Sequence, residues 1–241
     1  MHDGAPLLTP VLPLWHPLTR LGESQLLLPL ALLSLILLWR SPGQRPLARR
    51  WAWGLVAAVG LTTASKLAFM GWGWGSAGWD FTGFSGHAMC AGAVLPLLAW
   101  LGLRGQARAA WRRGGLCLAF ALAALIAYSR LPVGAHSPSE ALTGYLLGAA
   151  ASAWALLRAV PEPVPAGPSR RLPSLVPGLL MLALLALPHW SPPARTHQWV
   201  TRLALELSGR SHPYTRHQLH RAAAALNAAG AARPGSPATA G

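Results

Sequence analysis

Residues 51–71 read WAWGLVAAVGLTTASKLAFMG, twenty-one residues with a single charge, Lys66. At 1.5 Å per residue such a helix covers roughly 30 Å, the thickness of a bilayer's hydrocarbon core. The stretch reads as a membrane-spanning helix and sets the scale for the rest of the chain. Five further blocks follow the same pattern around it: Leu26–Trp39, Ala88–Leu103, Leu116–Tyr128, Ala141–Val160 and Leu175–Leu187. The fourth and sixth blocks in chain order are short, and their regular alternation with charged loops marks them as spans. The expected fold is all-α: a polytopic membrane protein with a six-transmembrane-helix bundle over residues 1–188 and a basic tail over 189–241.

Composition supports this class. Hydrophobic residues make up 53% of the 241 residues and charged residues 11%, where a soluble domain carries roughly a quarter. So few charges cannot cover a water-facing surface, and long apolar blocks exclude disordered and collagen-like chains. A net charge of +14 raises nucleic acid as a partner. The positive residues instead fall in short clusters between apolar blocks, without aromatic-basic interleaving. That pattern points to membrane lipids and not to nucleic acid, and it leaves the oligomeric state open. Cys90 and Cys117 lie in apolar stretches without metal-ligand spacing, as packing residues do.

Loop charges set the orientation. Arg40, Arg45, Arg49 and Arg50 follow the first block; Arg104, Arg108, Arg112 and Arg113 follow the third; Arg158, Arg170 and Arg171 follow the fifth. With six spans all three clusters share one face, which the positive-inside rule makes cytoplasmic. The loops at 72–87 and 129–140 then face outward, as do both termini. The arginine- and alanine-rich composition looks bacterial, so the expected location is the inner membrane with the outer loops in the periplasm. The first twenty residues lack a clear cleavage site, and the first span is expected to be retained. In the tail, Thr196–Ser208 places Trp199, Leu203 and Leu207 on one helical face before Gly209, as in a short interfacial helix. After Arg221 the chain turns to alanine, glycine and proline and is expected to fray. Several tail arginines lie on the outer side, against the positive-inside trend.

Chemistry-bearing residues collect in the two outer loops. Lys66 sits near the outward end of its span. A lysine at the bilayer centre costs about 2.5–3.5 kcal/mol, although one near a helix end can also snorkel. Trp72, Trp74 and Trp79 fit an interfacial belt, and Asp80 fits local turn chemistry. Phe84-Ser85-Gly86-His87 opens the third span, where unpaired N–H groups and the helix dipole suit a phosphate oxygen. Ser129-Arg130-Leu131-Pro132-Val133-Gly134-Ala135-His136 leads into Ser137-Pro138-Ser139-Glu140. Ser137-x-x-Glu140 with Pro138 is a capping box. Glu140 also lies one helical turn after His136, within reach of its imidazole. The two readings compete for one carboxylate.

Together these segments resemble the type 2 phosphatidic acid phosphatase superfamily, whose membrane members have six spans and three signature segments. The third, Ser-Arg-x5-His-x3-Asp, matches from Ser129 to His136, with Glu140 in place of aspartate. The second, Pro-Ser-Gly-His, matches at Ser85, Gly86 and His87, with Phe84 in place of proline. The first, Lys-x6-Arg-Pro, matches at Lys66 alone, because Gly73-Trp74 stands where Arg-Pro is expected.

The resemblance implies a metal-independent, cofactor-free lipid phosphatase. His136 would attack phosphorus and form a phosphohistidine, while His87 would protonate the leaving group. Glu140 would hold the His136 imidazole, and Lys66, Arg130, Ser85 and Gly86 would bind the phosphoryl oxygens. The missing arginine removes one phosphate clamp unless Arg130 or a tail arginine substitutes. A lipid phosphotransferase using the same site, or a non-catalytic descendant that binds phospholipid headgroups, is the alternative. Vanadate-dependent haloperoxidases share such a pocket but are typically soluble, and no inverted repeat suggests a transporter. A reporter fused after Arg104 is expected to read as cytoplasmic; a periplasmic signal would overturn this topology.

Overall fold

The computed structural model describes residues 12–104, 108–159 and 196–231. Within them the chain is helical: α1 (Leu12–Arg20), α2 (Ser24–Arg40), a 3-10 turn (Pro42–Gln44), α3 (Arg45–Trp72), α4 (Gly86–Leu103), α5 (Ala109–Ser129), α6 (Pro138–Leu156), α7 (Thr196–Ser208) and α8 (Arg216–Ala231). Four stretches are long and apolar enough to cross a membrane: Leu14–Arg40, Arg45–Trp72, Gly86–Leu103 and Ala109–Ser129. They contain the first four expected spans. The fifth block forms α6, a helix outside that group of four, and Leu175–Leu187 lies outside the described residues. The described architecture is therefore an all-helical bundle with four candidate spans.

The hub is α4, which has no polar face and is buried along most of its length. It meets α6 through small residues. A Cβ on Gly148 would lie 2.0 Å from the Met89 carbonyl oxygen, one on Gly144 2.6 Å from that of Ser85, and one on Gly92 2.8 Å from the Ala149 nitrogen. The two backbones therefore touch directly, as small-xxx-small pairs permit in membrane helices.

Pro96 lies inside α4. Lacking an N–H, it strands the carbonyl of Gly92, four residues earlier. Ser152 of α6 donates its hydroxyl to that oxygen at 2.8 Å. The indole N–H of Trp51, from α3, donates to the adjoining Ala93 carbonyl at 2.9 Å. Neighbouring helices thus supply the donors that a hydrocarbon interior cannot.

The outward faces are apolar, with Val56 and Leu118 well exposed, as lipid-facing surfaces require. At the end away from the loops discussed below, Arg50 donates to the Arg158 carbonyl at 3.1 Å, so two of the arginine clusters meet.

The tail helix α7 packs on the last turns of α3, where Ala204 is fully buried against Phe69 and Met70. Its opposite stripe of Trp199, Leu203 and Leu207 stays exposed, and Gly209 turns left-handed just after it (φ 66°). In place of the fraying expected after Arg221, α8 continues to Ala231. The run Ala222–Ala225 has the highest intrinsic helix propensity and carries the helix on.

Replacing Gly148 by alanine should destabilise the bundle by about 1–3 kcal/mol, the usual cost of overpacking. Gly60→Ala, where an added Cβ meets open space, should be neutral or mildly stabilising. Thermal unfolding in detergent compares the two.

Candidate active site

The loop between α3 and α4 and the loop between α5 and α6 close at the same end of the bundle. At the end of α3, Gly73 adopts the left-handed conformation (φ 74°) and its N–H bonds the Phe69 carbonyl at 2.8 Å. The following loop doubles back through paired backbone bonds between Ser76 and Phe81, each 2.9 Å. Ser65 then accepts the Phe84 N–H at 3.1 Å, which anchors the loop to α3 one residue before Lys66. Ser85 caps α4, its hydroxyl accepting the Ala88 N–H at 3.5 Å.

The third segment closes on itself. The Arg130 carbonyl accepts the N–H groups of Ala135 (3.1 Å) and His136 (3.3 Å), with Gly134 left-handed at φ 67°. Five intervening residues therefore form a loop that returns His136 to the side of Arg130. Ser137 then caps α6 in a full capping box with Glu140.

A cavity of about 590 Å³ opens between these segments, and Lys66, Gly86, His87, Arg130, His136 and Glu140 all line it. Leu28, Val59, Phe69, Met70 and Val200 supply apolar wall. Ser85 stands apart from the other expected residues. It is fully buried, its N–H donates to the Glu140 carbonyl at 3.1 Å, and its hydroxyl is used in the cap. The cavity-facing residues of that segment are Gly86 and His87.

Glu140 has no exposed surface, and each carboxylate oxygen accepts from three donors. Oε1 takes the Thr82 N–H (2.8 Å), the Thr82 hydroxyl and Arg216 Nη2 (2.8 Å). Oε2 takes His136 Nδ1 (2.8 Å), the Ser137 N–H (3.2 Å) and the same Arg216 nitrogen (2.8 Å). One oxygen thus serves the capping box and the imidazole together, so the two competing sequence readings coexist. An ionised carboxylate only accepts, so Nδ1 carries the proton and Nε2 keeps its lone pair.

Burial pushes the His136 pKa below its ordinary 6.5; the Glu140 hydrogen bond opposes this, and nearby Lys66 and Arg130 reinforce it. The imidazole is accordingly neutral at neutral pH. Arg130 donates from Nη1 to Thr19 at 2.5 Å, while its buried Nε has no hydrogen-bond partner among the described residues.

Thr19, Thr82, Arg216 and His220 are additions that the sequence motifs do not name. Asp80 is more than a turn residue: Arg216 pairs with its carboxylate and donates to its carbonyl at 3.2 Å. His220 Nε2 lies 2.7 Å from its other oxygen. A signal for Arg216 existed in the surplus of arginines in the tail, which ran against the expected charge bias.

Glu140→Gln removes both influences that raise the His136 pKa. In that variant the imidazole should titrate still lower than the wild-type group, itself below 6.5, as followed by NMR of histidine-labelled protein.

Comparison with known proteins agrees with this geometry. A family model described as PAP2 superfamily matches residues 51–162, which takes in all three segments. The chain is 37% identical over 213 residues to the "Uncharacterized 22.5 kDa protein in cps region" of Klebsiella pneumoniae, covering 87% of this chain and 99% of that relative. No solved structure matches. With the three segments assembled around one cavity in a bundle of apolar helices, the chain belongs to the PAP2 superfamily, a group made up in general of phosphatases.

Proposed function

We propose that the chain is an integral membrane phosphatase that hydrolyses a lipid phosphate or diphosphate through a phosphohistidine on His136. The observation that carries the reading is the bond from His136 Nδ1 to Glu140. It fixes the ring and leaves Nε2 as the nucleophile in a cavity shared with Lys66 and Arg130.

Nε2 attacks phosphorus in line as the bond to the leaving oxygen breaks, and His87 protonates that oxygen. Water then attacks the phosphohistidine, His87 takes its proton, and inorganic phosphate leaves. Charge on the phosphoryl oxygens is met by Lys66, Arg130 and the first-turn N–H groups of Gly86 and His87. Glu140 remains ionised and orients the imidazole, as a carboxylate orients the histidine of a serine-protease triad. No metal enters the scheme. A site at the helix ends with a partly apolar wall suits a substrate whose phosphate is at the interface and whose chain is in lipid. The arginine clusters between the apolar blocks support a site at the outer face of a bacterial inner membrane.

Gly73-Trp74 in place of Arg-Pro favours a second reading, a headgroup-binding descendant without turnover. The discriminating experiment is phosphate release by detergent-solubilised protein from a panel of lipid monophosphates and diphosphates, with chelator present. Wild type should release phosphate and trap label on His136. His136→Ala should fall to background, and His87→Ala should lose about 10²–10⁴-fold. Because the neutral imidazole is the attacking form, activity should rise with pH along an acid limb centred below 6.5. Folded wild-type protein that neither releases phosphate nor traps label would favour the binding descendant.

A further inference from the structure

The tail occupies the ground that position 73 leaves open. A Cβ on Gly73 would lie 3.1 Å from ring atoms of Tyr214, on a backbone at φ 74° that disfavours any side chain. The Tyr214 N–H donates to the Met70 carbonyl at 2.9 Å, satisfying an acceptor in the last turn of α3. A side chain at position 73 would therefore press on the docked Tyr214 ring, which would have to give by a few tenths of an ångström.

Just beyond Tyr214 a second capping box begins α8. Gln218 Oε1 accepts from the Thr215 N–H at 2.9 Å, and Thr215 Oγ1 accepts from the Gln218 N–H at 3.3 Å. That box fixes Arg216 as the first residue of α8 and aims its guanidinium between Asp80 and Glu140. Among the described groups hydrogen-bonded to Glu140, Arg216 is the one that stays cationic at neutral pH, since His136 is neutral there.

We infer that Arg216 is a positioning residue of this active site: through it the docked tail holds both oxygens of Glu140, and so the His136 imidazole, supplying a fixed positive charge that the first segment lacks at Gly73. Arg216 also lines the cavity, but its guanidinium is engaged by Glu140 and Asp80, which assigns it to positioning and not to the phosphoryl group. The kinetic part of the inference rests on the phosphatase reading; the structural part does not.

His136 is faced by Lys66 from α3, His87 from α4, Arg130 from its own loop, Glu140 from α6 and, through Glu140, Arg216 from α8. Neutralising Arg216 removes a cation and leaves Glu140 a stronger acceptor, and both changes favour imidazolium.

The experiment compares full-length wild type, Arg216→Gln and Arg216→Lys by NMR titration of His136 and by kinetics on the lipid phosphate panel. In Arg216→Gln the His136 titration should move up by about half a pH unit or more, carrying the acid limb with it. Its kcat should fall about tenfold or more with KM within about twofold, a pattern that marks an orienting role. Arg216→Lys should recover part of both; should Arg216→Gln fail to fold, Arg216→Lys still shows a several-fold loss, because one ammonium matches two oxygens poorly.

Asp80→Asn cuts the tail's ion pairs to that carboxylate, from Arg216 and His220, and should lower stability. An Arg216→Gln protein with an unmoved His136 titration and unchanged kcat per folded molecule would overturn the inference, as would a loss confined to KM. If wild type releases no phosphate from any substrate, the phosphatase reading fails, and the NMR titration alone decides the role of Arg216.

Discussion

A carboxylate with no exposed surface must be met by donors on every side, because an uncompensated buried charge costs several kcal/mol. Glu140 is that group, and four separate pieces of chain converge on it. Thr82 brings the loop after α3, Ser137 the start of α6, His136 the end of the preceding loop, and Arg216 the tail. Its backbone takes part as well, since its carbonyl receives the Ser85 N–H at the start of α4. Remove the charge and each of these segments loses a common anchor. The orientation of His136 is thus one consequence of a wider electrostatic requirement, which is why structure and proposed chemistry are hard to separate at this residue.

The site also depends on how α4 and α6 meet. Gly92, Gly144 and Gly148 let the two backbones approach within contact distance, which sets the first turns of both helices side by side. His87 and Glu140 sit on those first turns. Pro96 would weaken α4 if it acted alone. The Ser152 hydroxyl supplies a donor to the stranded Gly92 carbonyl, and the Trp51 indole binds the next carbonyl. The close contacts that position the site are therefore secured several turns away, inside the long apolar helices.

The departures from the family pattern form a connected set. Gly73 replaces a charged side chain, and the vacated space holds the ring of Tyr214. Arg216 follows two residues later in the tail and reaches Glu140 and Asp80. Glutamate at position 140 has a longer arm than aspartate, yet it reaches His136 Nδ1 at 2.8 Å while completing the helix cap. A positive tail at the same end as the two loops runs against the charge bias expected from the sequence. Two buried or partly buried carboxylates waiting for cations give that bias a local reason to be broken.

The sequence by itself determined the helical class, the positions of the first four apolar spans and the three segments whose residues line the cavity. Those features are local: hydrophobic run length, capping chemistry and fixed spacing each depend on residues close together in the chain. It also determined that His136 and Glu140 could meet, because one helical turn separates them. It did not decide whether Glu140 caps the helix or bonds His136, and the fold shows that six hydrogen bonds to its two oxygens allow both contacts. Ser85 looked like a phosphate ligand because it stands beside Gly86 and His87 at a helix start, but burial at the α4–α6 contact turns its hydrogen bonds inward. Arg216 and Asp80 are 136 residues apart, and no periodicity links them. Only the docking of α7 onto α3, driven by burial of Ala204, Phe69 and Met70, brings that arginine to the carboxylates, and such long-range packing is written in no single segment of the chain.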